Sequence, residues 1–114
     1  MSNLARINQE IIDVTTKLAI ASGEYDRATR DAYDKQTSYE VAVAQAQLDA
    51  EGTELTRKAT AVVATAQLLR EWRTARAVEK ALYVRIEAMK AKLNGIQTRS
   101  NNERGEMKLA GKYD

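Results

Sequence analysis

The 114-residue chain has no cysteine, histidine, proline or phenylalanine, and only five glycines. Without cysteine there is no disulfide framework, thiol nucleophile or thiolate zinc site. Without histidine the usual general base and the commonest metal ligand are missing. The lack of proline removes the strongest helix breaker and, with so little glycine, argues against a turn-rich β fold. Long apolar runs are also missing. Asn8, Gln9, Glu10 and Asp13 interrupt the N-terminal stretch, which does not read as a secretory signal. The longest weakly polar run, Ala59 to Leu69, falls far short of the roughly 20 residues that a membrane span needs. A cytoplasmic protein without membrane contact is the expectation.

What the chain does contain is charge (30% of residues) and an alanine-rich apolar fraction arranged at helical spacing. Leu4, Ile7, Ile11, Val14, Leu18, Ala21, Tyr25, Ala28 and Ala32 alternate steps of three and four, and the count continues through Lys35, Tyr39, Ala42, Ala46 and Asp49. Such a run is the signature of a coiled-coil-like seam. Gly52 can end this helix in a left-handed conformation, Thr53 can cap the next, and Glu54 suits the positive end of its dipole. A connection this short makes the two helices antiparallel neighbours. On the return limb Leu68, Trp72, Ala75, Leu82, Ile86, Met89, Leu93 and Ile96 form one stripe, which Val62, Leu69 and Val78 widen to one side. Folding at Gly52 pairs residues whose numbers sum to roughly 104, so Ile11 faces Leu93, Leu18 faces Ile86 and Ala32 faces Trp72.

The predicted fold is therefore all-α. It is a single domain over residues 1–114, a long antiparallel two-helix hairpin with helix 1 over about 3–51 and a turn at 52–53. Helix 2 covers about 54–98, and a short tail helix covers about 102–110. Ile7, Ile11, Leu18, Tyr25, Trp72, Leu82, Ile86 and Leu93 are its core and oligomer seam. Tyr33, off the seam, is expected at the surface. So thin a core in a 12.7 kDa chain calls for a further stabiliser, and self-association into a homo-oligomer is the expected one.

Charge is distributed unevenly. Residues 1–53 carry five basic and nine acidic side chains, and residues 54–114 carry thirteen and seven. Asp13–Lys17, Asp26–Arg30, Asp31–Lys35 and Glu54–Lys58 are spaced as i,i+4 helix supports. Beyond these, Arg70, Arg73 and Arg76 recur every three residues, and Lys80 follows one turn later. The only tryptophan lies beside them, at seam spacing that favours the core. The polar tail adds Arg99, Arg104, Lys108 and Lys112, with no packing task evident. A basic stripe that follows a phosphate backbone suits sequence-tolerant binding of single-stranded DNA.

Catalytic patterns are absent. Asp31/Asp34 and Glu103/Glu106 are i,i+3 pairs on exposed faces. No phosphate-cradling glycine loop accompanies Gly111-Lys112, and four serines without histidine make no hydrolase triad. The expectation is a non-enzyme with no metal, no cofactor and no small-molecule substrate.

Two segments carry a resemblance. They are Gly23-Glu24-Tyr25-Asp26-Arg27-Ala28 through Tyr39, and the ending from Leu93 through Arg99-Ser100-Asn101-Asn102-Glu103-Arg104 to Met107-Lys108-Leu109-Ala110-Gly111. They resemble small helical proteins that tailed phages encode among their replication and recombination genes, and the ending is similar to that of UvsY-type recombination mediators. The resemblance implies a viral, oligomeric DNA-binding accessory protein in the host cytoplasm. Such a protein helps a recombinase or annealing protein onto strands covered by single-strand-binding protein, and the positions indicated are Arg99, Arg104 and Lys108. The residues themselves also admit a protein-binding adaptor or inhibitor that uses a helix face, or a structural coiled-coil scaffold component.

Overall fold

A computed structural model describes residues 2–113, with only the backbone described for 112 and 113. It is an all-α antiparallel helical hairpin of three helices: α1 (Asn3–Asp49), α2 (Glu54–Ala64) and α3 (Ala66–Tyr113). Contacts group the chain into two compact units. One is Glu24–Leu82, which contains the turn, and the other joins Met1–Gly23 to Tyr83–Asp114.

The turn follows the expected chemistry. Gly52 has φ +107°, a conformation that side chains with a Cβ rarely adopt. Thr53 caps α2, its hydroxyl oxygen accepting from the Thr56 N–H at 3.2 Å. The last turn of α1 contains no basic residue of its own. Arg57 supplies one from α2, its Nε donating to the Gln47 carbonyl at 2.9 Å. A cation thereby satisfies one of the carbonyls left over at a helix C-terminus.

The seam is a single line of side chains. In the turn-containing unit Ala32, Ala61 and Ala75 are buried, and in the other unit Val14, Ala21, Ile86 and Ile96 are buried. Ile7, Ile11, Leu18, Tyr25, Trp72, Leu82 and Leu93 are half-buried, and Tyr33 is exposed. The expected seam residues therefore pack within the chain, so their apolar faces are occupied by the hairpin itself. Among the described residues no large side chain is fully buried, because two helices enclose one line and leave its edges open to water.

Four expectations need correction. First, the return limb breaks at Thr65 (φ −108°, ψ 8°). Its seam begins Arg57, Ala61, Thr65, and two successive steps of four carry the stripe about 80° around a helix of 3.6 residues per turn. The break resets the phase before Leu68 and Trp72. The buried Thr65 hydroxyl donates to the Ala61 carbonyl at 2.7 Å, a back-bond that favours bending.

Second, facing numbers sum to 104 for Gln47 and Arg57, but to 111 for Tyr39 and Trp72 and 109 for Glu10 and Arg99. Trp72 stacks on Tyr39, with ring centroids 5.5 Å apart, rather than sitting opposite Ala32. Third, the expected gap between residues 98 and 102 does not exist, and α3 runs through it without a separate tail helix. The seam carries on past Ile96 to Ser100, which is buried, and to Glu103, which is half-buried. Fourth, Val62 and Val78 are exposed rather than widening the seam. Of the four expected helix supports, Asp31–Lys35 (2.6 Å) and Glu54–Lys58 (3.0 Å) form, whereas Asp13 accepts from Gln9.

The glycines separate turn from helix energetics. Gly52→Ala should cost about 1–2 kcal/mol, because its φ excludes a Cβ and the new carbon would lie 3.3 Å from Thr56 Cγ2. Gly95→Ala and Gly105→Ala, inside α3 with open space around them, should each add about 0.5–1 kcal/mol. Urea unfolding followed by circular dichroism measures all three, and a common sign would contradict this assignment.

Candidate nucleic-acid interface

Of the four cations expected as a stripe, three share a line. Arg73, Arg76 and Lys80 follow Leu55, Ala59, Val62, Ala66 and Leu69 in an unbroken alternation of fours and threes. Leu55, Ala59 and Val62 lie on α2 and the other five on α3, in each case beside the seam, with the break at Thr65 between them. All three cations are exposed. The acidic neighbours Glu71 and Glu79 are off the line.

Arg70 is elsewhere. It lines a groove with Asp31, Lys35, Gln67 and Glu71, and its guanidinium donates twice to Gln67 Oε1, at 3.1 and 2.7 Å. Arg76 lines a different groove, with Trp72, Glu79, Tyr33 and Gln36. Its Cζ stands 5.7 Å from the centroid of the Trp72 ring. Trp72 thus already has a stacked tyrosine and a cation within contact range, and its buried Nε1–H has no hydrogen-bond acceptor among the described residues. The ring is a packing element whose area compensates a polar group left unpaired.

The tail cations divide as well. Arg99 is not idle: its Nη2 donates to Glu10 Oε2 at 2.7 Å, tying α3 to the first turns of α1. The groove around it also contains Arg6, Glu103 and Glu106. Three carboxylates therefore surround Arg99, a poor setting for a phosphate. Arg104 and Lys108, one helical turn apart, are exposed. Among the described residues neither they nor Arg73 and Lys80 have an ion-pair partner. The side chain of Lys112 lies outside the described residues.

Folding also redistributes the charge. The unit Glu24–Leu82 contains nine basic and ten acidic residues, because the acidic limb lies against the basic one. The other unit contains nine basic and six acidic. The field available to a polyanion is therefore local, arising from individual cations rather than from a uniformly basic limb. Among the described residues no group of three or more carboxylates could hold a metal ion, and no helix is long and apolar enough to cross a membrane.

No family model matches the chain, and no curated protein or solved structure is detectably similar to it.

Trp72 is the only tryptophan, so its fluorescence reports on this site alone. Because Arg76, a member of the cationic line, stands over the ring, its emission should change when a single-stranded oligonucleotide is added to saturation. Constant emission would show that the strand does not engage Arg76.

Proposed function

We propose that the protein is a non-catalytic helical accessory protein that binds single-stranded DNA through exposed cations and acts as a homo-oligomer. In this reading it serves a recombinase or annealing protein in the cytoplasm, in the manner of the phage recombination mediators that its ending resembles. The observation that carries the reading is the line Arg73–Arg76–Lys80. Its members are exposed on one helix flank, spaced for successive contacts, and Arg73 and Lys80 have no ion-pair partner among the described residues. Arg104 and Lys108 support it as a second cationic pair. Arg70 and Arg99 contribute less, because each is committed to a neighbour within the chain.

An adaptor or inhibitor that captures another protein is the second reading. The exposed apolar side chains Leu55, Val62 and Val63 favour it.

Fluorescence anisotropy of a labelled oligothymidine across a salt series tests the first reading. Several phosphate contacts give a steep linear fall of log K with log salt, and Arg73→Ala and Lys80→Ala should each reduce the slope by about one. Arg99→Ala should leave the slope unchanged. No binding at low salt, or a flat salt dependence, contradicts the reading.

A further inference from the structure

The hairpin leaves more surface exposed than a folded chain of its mass ordinarily does. A monomer of 12.7 kDa typically exposes roughly 6,200 Å², whereas this chain exposes 8,461 Å². The excess, roughly 2,200 Å², exceeds the roughly 800 Å² that each partner contributes to a standard protein interface.

Part of that surface has a coiled-coil pattern. Leu55, Ala59, Val62, Ala66 and Leu69 keep steps of four and three, as the seam of α1 does, yet Leu55 is 80% exposed and Val62 67% exposed. Ala59 is exposed, and Ala66 and Leu69 are half-buried. A second apolar line at seam spacing, lying outside the intramolecular seam, is suited to another helix.

We propose that this flank is a self-association surface and that its occupant is the same flank of a second copy, antiparallel about a two-fold axis through Val62. This deepens the self-association part of the reading above and does not depend on its nucleic-acid part. The line reads nearly the same in both directions, as an isologous contact requires. Leu55 faces the second copy's Leu69, Ala59 faces its Ala66, and Val62 faces its own counterpart. The alanine pairs let the helices approach closely beside the leucine pairs.

Charge beyond the ends of the line agrees with this register. Glu51 lies in the turn before α2, and the same symmetry carries the second copy's Arg73 past the N-terminus of α2, toward the acidic side chains Glu51 and Glu54. Glu51 is exposed, and Glu54, although paired with Lys58, keeps 83% of its side chain exposed. A parallel arrangement of the two flanks would instead set Arg73 against its own copy.

The chain contains no cysteine, which makes a direct test simple. The Val62→Cys variant should cross-link to a covalent dimer under mild oxidation, and Val84→Cys, also at an exposed position, should remain monomeric. Sedimentation equilibrium of the wild type at micromolar concentration should give twice 12.7 kDa. Val62→Glu should give the single-chain mass with an unchanged helical circular dichroism signal. Arg73→Glu should weaken association about tenfold, and combining it with Glu51→Arg should restore it.

A wild-type mass of one chain would overturn the proposal and leave the face to a different protein. So would equal cross-linking of the two cysteine variants, or a charge swap that fails to restore association. A dimer that binds no oligothymidine would refute the nucleic-acid reading alone. A monomer that binds it would refute this inference alone.

Discussion

The packing of α1 against α2 and α3 along one line of mostly small side chains is the constraint on which the rest of the structure depends. Among the described residues, four of the seven buried apolar side chains are alanine. Alanine lets two backbones approach closely but contributes little apolar area, so each helix pair gains modestly per turn. The hairpin compensates with length and with specific contacts at fixed points: Arg57 on the Gln47 carbonyl, Tyr39 on Trp72, and Arg99 on Glu10. These contacts set register in a seam whose alanines alone would tolerate sliding.

A core one residue wide determines what is left outside. Every helix keeps most of its circumference in water, so the same sequence must present a solvated face, a cationic line and an apolar line on the remaining surface. The flank from Leu55 to Lys80 changes from apolar to basic at Arg73 without a break in spacing. In the proposed arrangement, where the apolar part recruits a second copy and the basic part faces phosphate, Arg73 lies at their junction. There an end-of-line ion pair to Glu51 of a second copy and a phosphate would compete for the same guanidinium.

Much of the architecture was legible in the sequence because helical periodicity and turn chemistry are local. Every seam position expected on the first limb from Leu4 to Ala46 is buried or half-buried, and Gly52 and Thr53 play their expected parts. Non-local features were less legible. The break at Thr65 follows from two successive steps of four on the seam, a phase error that can be read in the sequence only once Arg57 and Ala61 are known to face inward. The register slipped for the same reason, which hid the Tyr39–Trp72 stack. The polar composition after Ile96 reads as an interruption before a short tail helix, but Ser100 and Glu103 continue the seam spacing, and a helix is held by that spacing as well as by hydrophobicity. The basic residues were countable from the sequence, but their partners were not. The Arg99–Glu10 pair joins residues far apart in the chain.

Lysine footprinting tests the role of the exposed cations most directly. The native protein would be acylated with and without excess oligothymidine and the modified sites read by mass spectrometry. If these cations hold the strand, Lys80 and Lys108 lose reactivity when DNA is bound, while Lys58 and Lys90, each paired to a glutamate on its own helix, change little. Equal reactivity at all four lysines in both samples would contradict that role.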